Sequence, residues 1–152
     1  MKIANPEIRV TKRFEASTER VFDAWLDPQT VSKWLFKSEA GEPVEAEIDA
    51  RVGGRFKAVA KRTDGDITHV GEYLEIERPT RLVFSFAVPQ FSPEYDRVTV
   101  EIRRLDKGCE LTLTNEMSPE IFAEWGEKTR EGWTQMLDGL SAAVAEREGS
   151  RL

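Results

Sequence analysis

Residues 118–147 read as one long amphipathic helix, and that stretch limits what the rest of the chain can be. Phe122, Trp125, Thr129, Gly132, Trp133, Met136, Leu137, Leu140, Ala143 and Val144 recur every three or four residues and so share one face. Glu124, Glu127, Lys128, Glu131, Asp138, Glu146 and Arg147 take most of the remainder. A partly aromatic stripe of this length needs a large concave apolar partner. The rest of the chain reads mostly as alternating strands, which can supply a curved sheet, and a helix lying in such a sheet leaves room for a cavity. The ends of the helix have local causes. Ser118 can cap the first turn, Pro119 suits the first helical position, and Glu120 sits near the positive end of the dipole. Arg147 falls in the last turn and Gly149 can supply a left-handed stop. Gly132 in mid-helix costs roughly 1 kcal/mol relative to alanine. Close approach of a strand or ligand would explain it, and so would simple tolerance.

Ahead of this helix, Ile8, Val10, Lys12 and Phe14 alternate with Arg9, Thr11 and Arg13, the pattern of a strand over Glu7–Phe14. Ser17 or Thr18 then caps a short helix whose inner face is Val21, Phe22, Trp25 and Leu26. Asp27 and Pro28 end it and start a second, with Val31, Trp34 and Leu35 facing inward. After a break at residues 41–43, strands are predicted near 44–50, 54–62, 67–77, 81–88, 95–104 and 109–117. Gly53-Gly54, Asp64-Gly65-Asp66, Arg78-Pro79, the proline-flanked loop 89–93 and Asp106-Lys107-Gly108 separate them. Val98, Val100 and Ile102 alternate with Thr99, Glu101 and Arg103, so one face is dry and one wet, as in an antiparallel sheet. No linker, low-complexity tract or internal repeat interrupts the chain, which reads as a single domain over residues 1–152.

Charge and cysteine usage narrow the function classes. A net charge of -6 argues against a phosphate backbone as partner, so no nucleic acid is expected. The single cysteine, Cys109, excludes an internal disulfide and a cysteine-cluster zinc site, and suits a reducing compartment. The N-terminal residues lack an apolar segment of signal-peptide type and no stretch approaches a membrane span. A cytoplasmic protein is the expectation.

The element order of strand, two short helices, six strands and long helix carries a set of matching words. These are ASTERVFDAWLDP at residues 16–28, Trp34, DARVGGRF at 49–56, GEYLEI at 71–76, PTRLVF at 79–84, VTVE at 98–101 and Gly132-Trp133. In order and together they resemble the helix-grip superfamily of START-related lipid-transfer, polyketide-cyclase and birch-pollen-allergen-like (SRPBCC) proteins. Within it, the chain looks like the branch homologous to the activator of the heat-shock-protein-90 ATPase. The resemblance spans about residues 7–147. It implies an α+β fold: a curved antiparallel sheet of about six or seven strands, two short helices after the first strand, and a long C-terminal helix packed across the sheet. Such a fold hosts transfer, cyclisation and chaperone regulation, so function has to be argued from the site. Activators of the eukaryotic chaperone are similar in this domain but carry a further N-terminal domain, for which 152 residues leave no room. Many relatives have a histidine near the end of the last strand, where this chain has Asn115.

The candidate chemistry is sparse. His69 is the one histidine, so a two-histidine metal site is impossible, and no nucleophile turn, Walker loop, zincin motif or dinucleotide fingerprint is present. No metal and no cofactor are expected, and Asp64-Gly65-Asp66 reads as a turn. By a strict period of two, His69, Gly71, Tyr73 and Glu75 share one strand face and the more apolar Thr68, Val70, Glu72, Leu74 and Ile76 the other. The resemblance favours Tyr73 looking inward, and a bulge would reconcile the two. If His69 and Tyr73 face a cavity, they are its polar pair: an imidazole for proton transfer and a phenol for a carbonyl oxygen. Otherwise they are a rim histidine and a core tyrosine.

Trp34, Phe56, Ala58, Phe84, Phe86, Trp125, Trp133 and Met136 complete the set expected to line a ligand site, with His69 and Tyr73. Trp25 belongs to the same group of tryptophans, as wall or as core. Phe91 suggests a lid, a dimer contact or a loop anchor. Arg51 and Arg55 around Gly53-Gly54 form an anion site if the glycines leave free N–H groups, and a salt bridge with Asp49 otherwise. The expected partner is a small apolar or amphipathic molecule in a pocket of about 300 Å³ or more. A protein partner such as a chaperone, and a cyclase- or hydrolase-type activity of His69 and Tyr73, are the alternatives. Either a monomer or a homodimer fits.

Overall fold

The computed structural model describes residues 5–36, 44–61 and 65–149, the last four without their side chains. The order is β1 (Glu7–Phe14), α1 (Thr18–Asp23), α2 (Pro28–Trp34), β2 (Glu45–Ile48), β3 (Arg55–Ala60), β4 (Ile67–Glu77), β5 (Arg81–Phe86), β6 (Asp96–Arg104), β7 (Cys109–Glu116) and α3 (Pro119–Gly149). The strands form a seven-stranded antiparallel sheet in the order β1-β7-β6-β5-β4-β3-β2. The long helix α3 packs against β1 and α2. Lys12 on β1 reaches Asp138 on α3 at 3.0 Å, and Arg130 donates to the Arg9 carbonyl at 3.0 Å, so the helix is tied to the sheet edge beyond its apolar face.

The caps form where the side-chain chemistry predicts them. Ser17 Oγ accepts from the Arg20 N–H and Asp27 Oδ2 from the Thr30 N–H, with Pro28 opening α2. Ser118 Oγ accepts from the Ile121 N–H. The helix continues to Gly149, so the expected stop there is not seen. The break at residues 41–43, the Arg62–Asp64 part of the β3–β4 hairpin and the side chains of Glu146 and Arg147 lie outside the described residues.

The register of β4 has a physical answer. The pairing with β5 shifts between Tyr73 and Glu75, a bulge that places one extra residue in β4. Before it Gly71 and Tyr73 are buried; after it Ile76 packs on the core instead of Glu75. Gly71 is required where β5 and the Phe56 ring approach β4 closely. A Cβ there would lie 1.9 Å from the Ser85 carbonyl oxygen and 2.4 Å from the Phe56 ring. The glycines of α3 play different parts. Gly132 faces open space, whereas a Cβ at Gly139 would lie 3.4 Å from Trp34 Cβ. The close helix–helix approach is therefore about two turns beyond the place the periodicity singled out.

The core runs from Ile8, Leu111, Leu113 and Val98 on the sheet to Trp133, Leu137, Leu140 and Val144 on α3, with Phe22, Trp25, Val31 and Trp34 closing the end. Phe122 and Trp125 depart from the predicted stripe. They are 38% and 39% exposed, while Ile121 in the same two turns packs against the core and Gly126 is buried.

Candidate functional site

The interior between the sheet and the helices has two adjoining parts. The first is an aromatic shelf on β4 and β5. The His69 and Phe86 rings are near parallel, at 9°, with centroids 6.1 Å apart. Phe36, two residues past the end of α2, lies flat against both, 4.1 Å from His69 and 5.1 Å from Phe86. A ring sandwiched between the two would hold them nearly as far apart as those two distances added together, well beyond the observed 6.1 Å, so Phe36 covers the pair rather than standing between them. Trp133 of α3 closes the side at 5.8 Å, and the Phe36 N–H donates to Met136 Sδ at 3.2 Å. Phe36 adopts φ 56°, a left-handed conformation that a Cβ-bearing residue takes at a cost.

The second part is an enclosed, apolar space between α2 and strands β2 to β5. Trp25, Leu35, Phe56, Ala58, Tyr73 and Phe84 line it, with Val31, Ala46, Ile48, Leu82 and the stem side of Lys57. Its free volume is about 10 Å³, room for one water molecule at most. Among the described residues, the space these side chains line is far smaller than the pocket of drug-like size expected from the sequence. The two parts meet where Ala58 pairs with His69 across β3 and β4, and where Leu35 is followed by Phe36.

Polar groups in this interior are few and held neutral. His69 Nδ1 lies 3.2 Å from the Ala58 carbonyl oxygen, which makes Nδ1 the protonated nitrogen of a neutral ring. Burial lowers its pKa from 6.5 to about 4, partly offset by that hydrogen bond. Burial, with Asp49 nearby, pushes the Tyr73 hydroxyl above its usual value, so it too stays protonated. Depressed imidazole basicity links stability to pH. The unfolded chain takes up the proton near pH 6.5 and the folded chain only near pH 4, so the contribution is full above 6.5 and is lost as pH falls through about 4. At most about 3 kcal/mol is involved. Urea midpoints at pH 7.5 and pH 4 are expected to fall further for the native protein than for H69Q; equal falls would rule out a buried neutral His69.

The candidates divide accordingly. Phe56, Ala58, Tyr73 and Phe84 line the enclosed space, and His69, Phe86, Trp133 and Met136 belong to the shelf. Trp34 is buried behind them, its Nε1 donating to the Ala24 carbonyl. Trp125 is corrected to the outside: it stacks on Phe91, itself 67% exposed, at 6.5 Å and 28°, with Lys128 over its ring. The anion site around Gly53 and Gly54 does not form. Arg51 pairs with Asp49 at 2.9 Å, and the two glycine N–H groups donate to the Tyr73 and Arg51 carbonyls.

Three features owe their setting to the structure and not to the reading of the sequence. Phe36 sits outside every periodic pattern. Asn115, wholly buried, accepts from Trp133 Nε1 at 2.9 Å and donates to Asp96 Oδ2 at 3.0 Å, a polar chain from helix to sheet that spacing alone does not reveal. Burial raises the Asp96 pKa, against the lowering effect of the Asn115 bond. On the outer face a broad open depression of about 850 Å³ is lined by Asp49, Arg55, Glu72, Ser85 and Tyr95, charges of both signs that single out no ligand.

Comparison with known proteins places this architecture. The sequence profile described as "Activator of Hsp90 ATPase homolog 1-like protein" matches residues 15–145. A solved structure from Chromobacterium violaceum is similar at 29% identity and a TM-score of 0.77, over 91% of this chain and 96% of that one. A Nitrosomonas europaea protein shares the fold at 18% identity and a TM-score of 0.81, over 94% and 96%. An AHSA1-like protein from Aeromonas hydrophila shares it at 23% identity and 0.75, over 94% of each chain. No match is found among curated proteins. Among the described residues no helix is long and apolar enough to cross a membrane.

Proposed function

The chain belongs to the family of activator of Hsp90 ATPase homolog 1-like proteins, and from its interior we propose that it binds a small, flat, uncharged apolar molecule between the sheet and the C-terminal helix. The observation that carries this reading is Phe36. Its ring fills the place over the His69–Phe86 shelf at the expense of a left-handed backbone. A flat ligand lying on the same two rings would take over those contacts, and Phe36 would be free to relax. Departure of that ring would also join the shelf to the enclosed space beyond Leu35, giving an apolar slot bounded by Trp133 and Met136.

A catalytic role for His69 and Tyr73 has less to support it. The imidazole is a weak base with its Nδ1–H committed to Ala58, and four residues of strand put the two side chains about 13 Å apart along β4. The second reading, a protein-contact module, is favoured by the exposed Phe91–Trp125 pair beside a filled interior.

Native mass spectrometry before and after organic extraction tests the first reading, followed by titration of flat aromatic and alicyclic compounds against tryptophan fluorescence. A co-purifying apolar compound, or saturable quenching, is expected. A clean mass with no response would overturn it. Stimulation of the ATPase rate of an Hsp90-type chaperone by the added protein would then support the second.

A further inference from the structure

Trp25 stands apart from the other buried tryptophans. Trp34 Nε1 donates to the Ala24 carbonyl and Trp133 Nε1 to Asn115, but the Nε1–H of Trp25, a residue only 2% exposed, has no hydrogen-bond partner among the described residues. Buried indole donors are ordinarily satisfied, and one left over calls for an explanation. Trp25 cannot turn to find one. It is held edge-to-face by Trp34 at 4.6 Å and packed by Trp133 and Phe84 at 6.1 and 6.2 Å. It lines the enclosed apolar space, where the other polar side chain of the interior wall is Tyr73. The Tyr73 hydroxyl stays protonated and makes no hydrogen bond among the described residues. An indole N–H can only donate, whereas a protonated phenol both donates and accepts. The Trp25 donor is therefore the group of this wall whose need is one-sided, met by an acceptor and by nothing else.

Building on the reading above, we infer that the ligand carries an uncharged hydrogen-bond acceptor, a carbonyl oxygen on an otherwise apolar ring skeleton, and that Trp25 Nε1–H donates to it. The flat part of such a molecule lies on the shelf while its oxygen reaches past Leu35 toward Trp25. Charged analogues are disfavoured, because a carboxylate would be desolvated with no buried cation to meet it. Lys57, on the outward-facing positions of β3, is exposed.

Indane and its ketone indanone are the probes, matched in shape and differing by one oxygen. Affinities are measured for the native protein and for W25F, which keeps an aromatic ring and removes the donor. The ratio of ketone to hydrocarbon affinity is expected to fall by about 3- to 10-fold in W25F, the worth of one neutral hydrogen bond. Comparing ratios cancels the different hydration of the two compounds. In ¹⁵N-labelled native protein, the Trp25 indole N–H resonance is expected to move downfield with indanone and not with indane, a readout that does not depend on the variant's folding. If both probes bind and the ratio and resonance are unchanged, the acceptor inference fails while the binding function stands. If neither probe binds, both are overturned.

Discussion

Replacing Phe36 by glycine is expected to raise the affinity for a flat apolar probe by at least about tenfold. The reason is population. A site whose competent state is open only a small fraction of the time binds with its intrinsic affinity reduced by that fraction, so removing the ring that covers the shelf returns the difference. The stability cost works in the other direction. Deleting a buried phenylalanine side chain costs about 3–5 kcal/mol through lost contacts and the cavity left behind. Glycine recovers about 1 kcal/mol of that, because φ 56° suits a residue without Cβ and does not suit alanine. F36G is thus expected to be less stable than the native protein, yet at least as stable as F36A, and to bind better than the native chain. Isothermal titration with naphthalene and urea unfolding of the three proteins decide it. Unchanged affinity in F36G would show that Phe36 is ordinary core and remove the main support for the binding reading.

A second large stability effect is expected at Asn115. Its amide is the link between Trp133 Nε1 and the Asp96 carboxylate, and it is wholly buried. Asn115→Leu fills similar space but leaves a buried indole donor and a half-buried carboxylate without partners, a loss of about 2–4 kcal/mol. Asn115→Asp separates packing from electrostatics. It can still accept from Trp133, but at neutral pH it sets a second carboxylate within hydrogen-bond distance of Asp96. Two carboxylates so placed share a proton, and the pKa of one rises. The native Asp96 is already raised. A folded-state pKa raised above the unfolded value stabilises below the unfolded value and loses that contribution as pH rises. N115D is therefore expected to be strongly destabilised at pH 8 and to recover as pH falls toward 5, while N115L, with the single Asp96 carboxylate released from its hydrogen bond, recovers less. Urea midpoints across that range, read by Trp133 fluorescence, test this. A flat difference between N115D and the native protein would mean that the Asn115–Asp96 contact carries no weight.

Much of the architecture was legible along the chain. The strands predicted over 67–77 and over Glu7–Phe14 have the observed bounds, because alternation and turn residues are local signals that sheet pairing then reinforces. The two short helices start where Asp27-Pro28 and Ser17 place them for the same local reason. The order of short words was enough to identify the helix-grip family, which the profile over residues 15–145 establishes.

Site details depended on non-local geometry. Trp125 has the same periodic spacing as Trp133, and a helical period cannot say where the partner sheet ends, so one tryptophan is core and the other lies on Phe91 outside. Strand alternation in β4 is broken by a bulge that exists only because β5 shifts its register against Tyr73 and Glu75. Asn115 looks in sequence like one residue of an alternating strand, and its meaning comes from Trp133 and Asp96, eighteen and nineteen residues away. Residue order by itself determined the class of fold, the apolar lining of the interior and the absence of a second histidine. Tertiary packing decided that the space between Trp25, Phe56 and Tyr73 is nearly full, that Phe36 covers the shelf and that the Trp25 N–H is left over among the described residues. The first set follows from periodicity and composition, which act within a few residues. The second is a matter of volume and hydrogen-bond pairing among side chains far apart in the chain, which only the closed structure brings together.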